Sequence, residues 1–178
     1  MSSPLLFLKG EKMQLYYISD SYVEYLRNFD GRIYENKLKT RPYVGVVLEI
    51  NDVKYYVALS SPKPKHKRMN NSKDFRKING GIYGALNFNY MIPVPETEIF
   101  LIDIAAITDK TYKRLLQNQY KFIKSDWDNI KNTARNLYFL CCADEKELSN
   151  NDKKIKSRCC DFRFLEEKCK LFNLSSCR

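Results

Sequence analysis

A chain of 178 residues with 44% apolar or aromatic side chains, 13 Tyr and 10 Phe among them, is large enough for one domain with a true core and excludes a disordered segment. Its net charge of +10 points to a polyanionic partner, either nucleic acid or an acidic membrane surface. The leading "MSSPLLFLKGEK" has an apolar run too short for a signal peptide or a membrane span, so a cytoplasmic protein is expected.

Residues 1–12 read as a loose N-terminal extension and residues 13–178 as a single domain. "MQLYYIS" (Met13–Ser19) reads as a first strand. "SDSYVEYLRNFDG" then spaces Tyr22, Tyr25, Leu26 and Phe29 on one helical face, with Ser19 or Asp20 as N-cap and Gly31 as the stop. Residues 32–40 are polar and read as a loop. "YVGVVLEI" (Tyr43–Ile50) and "VKYYVALS" (Val53–Ser60) flank Asn51-Asp52 and predict a hairpin, although Asn-Asp is a poorer turn than Asn-Gly. A basic stretch follows, and then "NGGIYG", whose glycines match neither of the common phosphate-binding patterns. "ALNFNYMI" (Ala85–Ile92) and "EIFLIDI" (Glu98–Ile104) read as further strands. From Thr108 the period turns helical. Tyr112, Leu115, Leu116, Gln119, Phe122 and Ile123 line one helix capped by Thr108 or Asp109, and Ile130, Ala134, Leu137 and Tyr138 line a second capped by Ser125. Residues 143–156 read as a polar connection, and Phe162, Leu165, Cys169 and Phe172 as the inner face of a closing helix. Strands first and helices afterwards imply an α+β fold, a strongly twisted antiparallel sheet with helices packed around it.

Between Lys63 and Lys77, seven cations (Lys63, Lys65, Lys67, Arg68, Lys73, Arg76, Lys77) stand against one anion, Asp74. Such a run is often no more than a solvated face. A phosphate backbone rewards it most, because neutralising that backbone releases condensed counterions. All six cysteines lie in the last third, with no C-x-x-C pair and with His66, the only histidine, far away. Zinc-ligand spacing is absent, and the thiols read as reduced core filler.

The hairpin's second strand runs into "SSPKPKHKR". Proline biases the residue before it toward extended backbone, which would set Ser61, Lys63 and Lys65 on one side of a stiff stalk. RNA carries its own nucleophile, the 2′-hydroxyl, beside each phosphate. An enzyme that cuts it supplies positioning, positive charge and proton transfer. Lysine and serine donors suit developing phosphate charge, and a histidine titrates near neutrality. DNA hydrolysis lacks that nucleophile and usually draws on metal-bound carboxylates, which this stretch does not offer; no DNA, metal or other cofactor is expected. No G-x-S-x-G elbow surrounds either serine. The plainer reading stands beside this one: a strand-terminal serine, a capping histidine and solvated lysines.

Taken in order, "LYYIS", "SYVEYLRNFD", "RPYVGVVLEI", "YVALSSPKPKH", "LNFNYMIPV", "IFLIDI", "TYKRLLQNQYKFIK", "ARNLY" and "FRFLEEK" resemble the ToxN/AbiQ family, the protein component of type III toxin–antitoxin systems. The resemblance implies an endoribonuclease that cuts A-rich single-stranded RNA without metal, leaving 2′,3′-cyclic phosphate and 5′-hydroxyl ends. It also implies a compact sheet similar to the Kid/MazF toxins, and a small repeated antitoxin RNA, folded as a pseudoknot, held in a closed protein–RNA assembly. Cellular or phage mRNA would be the substrate, and abortive infection the role. The family's T/S-S-P-K segment falls on Ser60, Ser61, Pro62 and Lys63, its basic residue before the second strand on Arg41, and a histidine of some relatives on His66. Ser61 and Lys63 would hold the scissile phosphate, Ser60 would orient the 2′-hydroxyl or a phosphate oxygen, Arg41 and Lys65 would add charge, and His66 would move a proton. Tyr34 answers to a loop tyrosine of relatives. Lys65, Lys67, Arg68, Lys73, Arg76 and Lys77 are expected along RNA phosphates. Tyr83, Phe88 and Tyr90 are candidates to stack on unpaired bases, with core packing the first reading for the last two. The competing function is a non-catalytic RNA-binding module of the same charge and fold.

Overall fold

Two long apolar strands, β2 (Tyr43–Ile50) and β3 (Val53–Ser60), pair as a hairpin whose two-residue turn has Asn51 at φ 50° and Asp52 at φ 61°. Positive φ at both positions gives the twist that flanking strands need, and Asn and Asp tolerate it better than most residues. Both strands are buried along almost their whole length. Such strands need cover on both faces, and the later helices supply it. The computed structural model describes residues 12–37 and 40–176, with side chains to residue 172. The expected N-terminal extension, apart from Lys12, lies outside the described residues.

Around the hairpin the sheet is antiparallel throughout. β1 (Gln14–Ile18) flanks β2 and is itself flanked by β7 (Ile99–Leu101) at the edge. On the other side β3 pairs with β5 (Ala85–Asn87) and β6 (Ile92–Pro93), and β5 carries β4 (Phe75–Lys77) outermost. The single strand expected over Ala85–Ile92 is thus two short ones. A 3-10 turn, Phe88–Tyr90, takes up the shift between their two registers on β3. The strand expected over Glu98–Ile104 is likewise cut to β7, because Asp103 caps a 3-10 turn at Ile104–Ala106.

Helix α1 (Asp20–Arg27) buries Tyr22, Val23 and Leu26, with Ser19 accepting from the Tyr22 amide as N-cap. It stops at Asn28, short of the expected Gly31, and Phe29 is left exposed. Helix α3 (Lys110–Ser125) is capped by Asp109, and α4 (Trp127–Cys142) buries the four residues its periodicity predicts. The expected cap Ser125 is instead the last residue of α3, where its hydroxyl donates to the Phe122 carbonyl at 2.7 Å. The polar stretch 143–156 is not a loop. It holds most of α5 (Asn150–Arg158), capped by Ser149, whose only buried side chain is Ile155. With a single inward residue a helix shows no apolar period to read. The closing helix α6 (Phe162–Ser176) packs against α1, α4 and β6.

Buried tyrosines tie these layers together, since a buried hydroxyl must find a partner. Tyr22 donates to the Pro93 carbonyl at 2.6 Å, and Tyr55 donates to Glu166 Oε1 at 2.7 Å, reaching from β3 to α6. Cys159, Cys160 and Cys169 are buried free thiols, and Cys141 and Cys142 are half-buried ones; Cys177 lies outside the described residues. No helix among the described residues is long and apolar enough to cross a membrane.

Candidate active site

Three elements close on Ser60 at the end of β3. The β2–β3 register pairs Tyr43 with Ala58, and the Leu59 amide donates to the Pro42 carbonyl at 2.9 Å. The same register carried one step further sets Arg41 opposite Ser60. On the other side, β5 pairs Ala85 with Ser60 and Leu86 with Leu59. Asn87, two residues beyond Ala85, therefore shares the Ser60 face. With only a methyl group at Ala85 beside it, its Nδ2 donates to Ser60 Oγ at 2.7 Å. Ser60 itself is 8% exposed.

The third element is the loop between α1 and β2. Ile33 is buried, and the Asn36 amide donates to the Ile18 carbonyl and to Asp20 Oδ1, each at 2.7 Å. Tyr34, held between these anchors, lies against Ser60. Burial, with Tyr90 adding, pushes its phenol above the usual value, while Arg41 and the neighbouring Ser60 hydroxyl act the other way. The Arg41 guanidinium sits over the Tyr34 ring, 4.7 Å from its centroid, with Nε donating to the Glu35 carbonyl at 2.9 Å. Tyr90 also packs on Tyr34, its ring centroid 4.7 Å from that of Tyr34. Stacking on a ring fixes the guanidinium plane and leaves its remaining N–H donors at the edge, where a phosphate is bound.

Past Ser60 the chain leaves the sheet. Ser61, Pro62 and Lys63 are exposed, and Lys63 is extended (φ −137°, ψ 147°), as a residue before proline should be. The expected stalk ends there. Pro64 opens α2 (Pro64–Arg68), since its fixed φ suits a first helical turn as well as an extended chain. Lys65 is thus inside a helix and is not set beside Ser61 and Lys63 by strand alternation. His66 is also corrected: it is 2% exposed, with its ring 6.0 Å from Phe75. Burial, together with the Lys65 and Lys63 charges, holds its imidazole below the usual value. It faces the protein interior, and a proton-moving role toward RNA does not fit that position.

The glycines that matched no phosphate-binding pattern explain how α2 and the strand end are seated. A β-carbon on Gly81 (φ 91°) would stand 2.6 Å from the His66 carbonyl, so α2 rests directly on that turn. One on Gly84 (φ 96°) would fall on the Ser60 carbonyl oxygen and stand 3.1 Å from the Ser60 carbonyl carbon and 3.2 Å from that of Ser61.

The basic stretch divides in two. Lys73 pairs with Asp152 at 2.6 Å, and Arg76 forms a two-point pair with Asp126, so both join the sheet's outer strands to the helices. These two are not free to track phosphates as expected. Buried Asp74 likewise accepts Arg158 at 2.6 and 2.7 Å. Lys63, Lys65, Lys67 and Arg68 are exposed and have no carboxylate partner among the described residues. Lys77 and Tyr83 are half-buried, and Phe88 is wholly buried in the core. Of the residues singled out in the sequence, Tyr34, Arg41, Ser60 and Tyr90 meet directly. Asn87 has no local sequence signal, because only the pairing of β5 with β3 brings it to Ser60.

The family described as toxin ToxN of type III toxin–antitoxin systems matches residues 14–170. The chain is 39% identical over 156 residues to an endoribonuclease ToxN of Bacillus thuringiensis subsp. kurstaki, covering 85% of this chain and 80% of that protein. It is 32% identical over 178 residues to the endoribonuclease AbiQ of Lactococcus lactis subsp. lactis, covering 92% and 91%. A structure solved in a study of selective toxin inhibition by a non-coding RNA pseudoknot superposes with a TM-score of 0.81 at 36% identity, over 92% of this chain and 99% of that one.

Proposed function

The chain belongs to the ToxN family of type III toxin–antitoxin toxins, and from that premise we propose that the end of β3 is its ribonuclease centre. As an endoribonuclease toxin it acts on RNA. The substrate is A-rich single-stranded RNA in cellular or phage mRNA, cut without a metal ion. The 2′-oxygen bonds to phosphorus, the bond from phosphorus to the 5′-oxygen breaks, and the products are a 2′,3′-cyclic phosphate and a 5′-hydroxyl. The 2′-proton leaves to solvent and the departing 5′-oxygen gains one, so atoms and charge balance.

The observation that carries this reading is the convergence of Ser60, Tyr34 and Arg41, all hydrogen-bond donors, beside the exposed Ser61 and Lys63. Donors fixed before the substrate arrives stabilise charge growing on the phosphate without reorganising. Ser61 and Lys63 hold the scissile phosphate, Ser60 orients the 2′-hydroxyl or a phosphate oxygen, and Arg41 adds charge. Lys65, Lys67 and Arg68 on α2 guide the flanking phosphates, as does Lys77, and Tyr83 offers a base a ring to stack on. The inhibitor is a pseudoknot-forming antitoxin RNA bound in a closed protein–RNA assembly in the cytoplasm, and the outcome is defence against phage by abortive infection.

The test is cleavage of an A-rich single-stranded RNA in excess EDTA, with product 3′ ends analysed, for wild type and Lys63→Ala. Cyclic-phosphate ends made by wild type, with the variant slowed far more than its RNA affinity falls, support the reading. Tight RNA binding without wild-type cleavage across several sequences would make the protein a binding module and return Ser60–Lys63 to a basic loop.

A further inference from the structure

We propose that Asn87 is a positioning residue for RNA cleavage, setting the direction of the Ser60 hydroxyl; the inference rests on the ribonuclease reading of this site. A serine hydroxyl has one proton and two lone pairs, and it rotates among three staggered wells. The Asn87 amide, donating to Ser60 Oγ at 2.7 Å, occupies a lone pair and selects one arrangement. In it the serine's own proton points away from the asparagine. That leaves the side where the Tyr34 phenol and the Arg41 guanidinium stand, which is where the scissile phosphate is bound. A neutral amide exchanges no proton in this pH range, so Asn87 acts only through Ser60. It changes no atom count in the cleavage: it aligns a hydrogen bond that strengthens as charge grows on the phosphate.

The placement is built into the sheet. β5 is paired on both sides, with Ala85 opposite Ser60 on β3 and Phe75 opposite Asn87 on β4, so the asparagine cannot swing out of register. Immediately after it comes the turn Phe88–Tyr90. Buried Phe88 anchors this turn, and Tyr90 lies against Tyr34. One short segment therefore fixes both the serine hydroxyl and the tyrosine beside it.

The experiment is single-turnover cleavage of an A-rich single-stranded RNA by the full chain, with RNA affinity measured separately, for wild type, Ser60→Ala, Asn87→Ala, Asn87→Asp and the double variant Ser60→Ala/Asn87→Ala. Loss of one such hydrogen bond predicts about 10-fold slower cleavage by Asn87→Ala, with affinity within about 2-fold. Asn87→Asp keeps the shape and the fold but can only accept, drawing the serine proton inward, so it is slowed at least as much. The double variant cleaves no more slowly than Ser60→Ala, because the amide has lost the group it acts through. A double variant slower than Ser60→Ala by the full Asn87 factor overturns the proposal, as does a fall in affinity that matches the fall in rate, or Asn87→Asp at full rate. Asn87→Ala at full rate beside a slow Ser60→Ala sinks this inference alone. Ser60→Ala at full rate sinks the ribonuclease reading of the site and this inference with it.

Discussion

Replacing Gly84 by alanine tests whether the seat of the strand end is what makes the site reactive. At φ 96° an L-residue is strained, at a cost of about 1–3 kcal/mol. Its β-carbon would also fall on the Ser60 carbonyl oxygen. Non-bonded heavy atoms settle about 3.5 Å apart, so Ser60 and Ser61 must be pushed aside by roughly 1.5 Å, and misplacing reacting groups by even about 1 Å costs on the order of 10²-fold in rate. Gly80, four residues earlier at φ 62°, has nothing within 4 Å of an added β-carbon and is the internal control. Alanine there carries only the left-handed penalty of about 1–2 kcal/mol. For a chain of this size each kcal/mol lowers Tm by about 2–4 °C. Gly84→Ala is therefore expected to lose roughly 2–12 °C by calorimetry and about 10²-fold in single-turnover RNA cleavage. Gly80→Ala is expected to lose a few degrees and to cleave at the wild-type rate. If Gly84→Ala cleaves at full rate, or if the two variants lose rate equally, the tight seating of β3 on that loop has no bearing on the chemistry.

The two halves of the basic stretch should separate in salt titrations. Lys67→Ala or Arg68→Ala should each weaken RNA binding and lower the slope of log affinity against log salt by about 0.7. Arg76→Ala should leave that slope alone and instead reduce stability by about 1 kcal/mol in urea; the opposite pattern would place Arg76 on the RNA. His66 predicts a pH effect on folding. Its imidazole is held below the usual value in the folded chain, so below about pH 6.5 the unfolded chain binds more protons and stability falls as pH drops. Urea midpoints between pH 7.5 and 5.5 should decline for wild type and stay flatter for His66→Phe. A wild-type protein that gains stability on acidification across this range would refute the buried-neutral assignment.

What the sequence disclosed about the fold follows from how many side chains each element turns inward. β2 and β3 are buried on both faces and α4 along a full stripe, so their apolar patterns are dense and their assignments hold. α5 has one buried residue, and its pattern is that of a polar loop. The break at Phe88–Tyr90 was hidden for a different reason. "ALNFNYMI" has strand composition throughout, and only the need to meet β3 in two registers forces the turn. At the site, Ser60 was legible because it ends a strong strand, and Arg41 only through the family resemblance. Asn87 was not, because its role is a cross-strand contact and has no local pattern. The burial of His66 left no trace in the sequence: a histidine among lysines reads as a capping residue or a proton carrier until three-dimensional neighbours, here Phe75 and the Gly81 turn, cover it.

Charge shows the same limit more sharply. Seven cations between Lys63 and Lys77 suggest one continuous electrostatic footprint, yet the carboxylates that meet Arg76 and Lys73 come from Asp126 and Asp152, 50 and 79 residues away. Those ion pairs attach the sheet's outer edge to α5 and to the α3–α4 corner, and they engage two of the three cations in the far half of the run, leaving Lys77. The near half, Lys63 to Arg68, has no such partners among the described residues and sits on α2 directly beyond the strand end. The fold therefore concentrates unpaired positive charge beside Ser60 and Ser61 rather than spreading it across the face. Because the Debye length is about 8 Å at physiological salt, a phosphate feels mainly the charges of its immediate surroundings. On the function proposed above, an RNA strand would be held most strongly beside Ser60 and the α2 cations, with Lys77 the one cation of β4 left to add to it, whereas a count of lysines and arginines alone would have spread the binding surface evenly over the run.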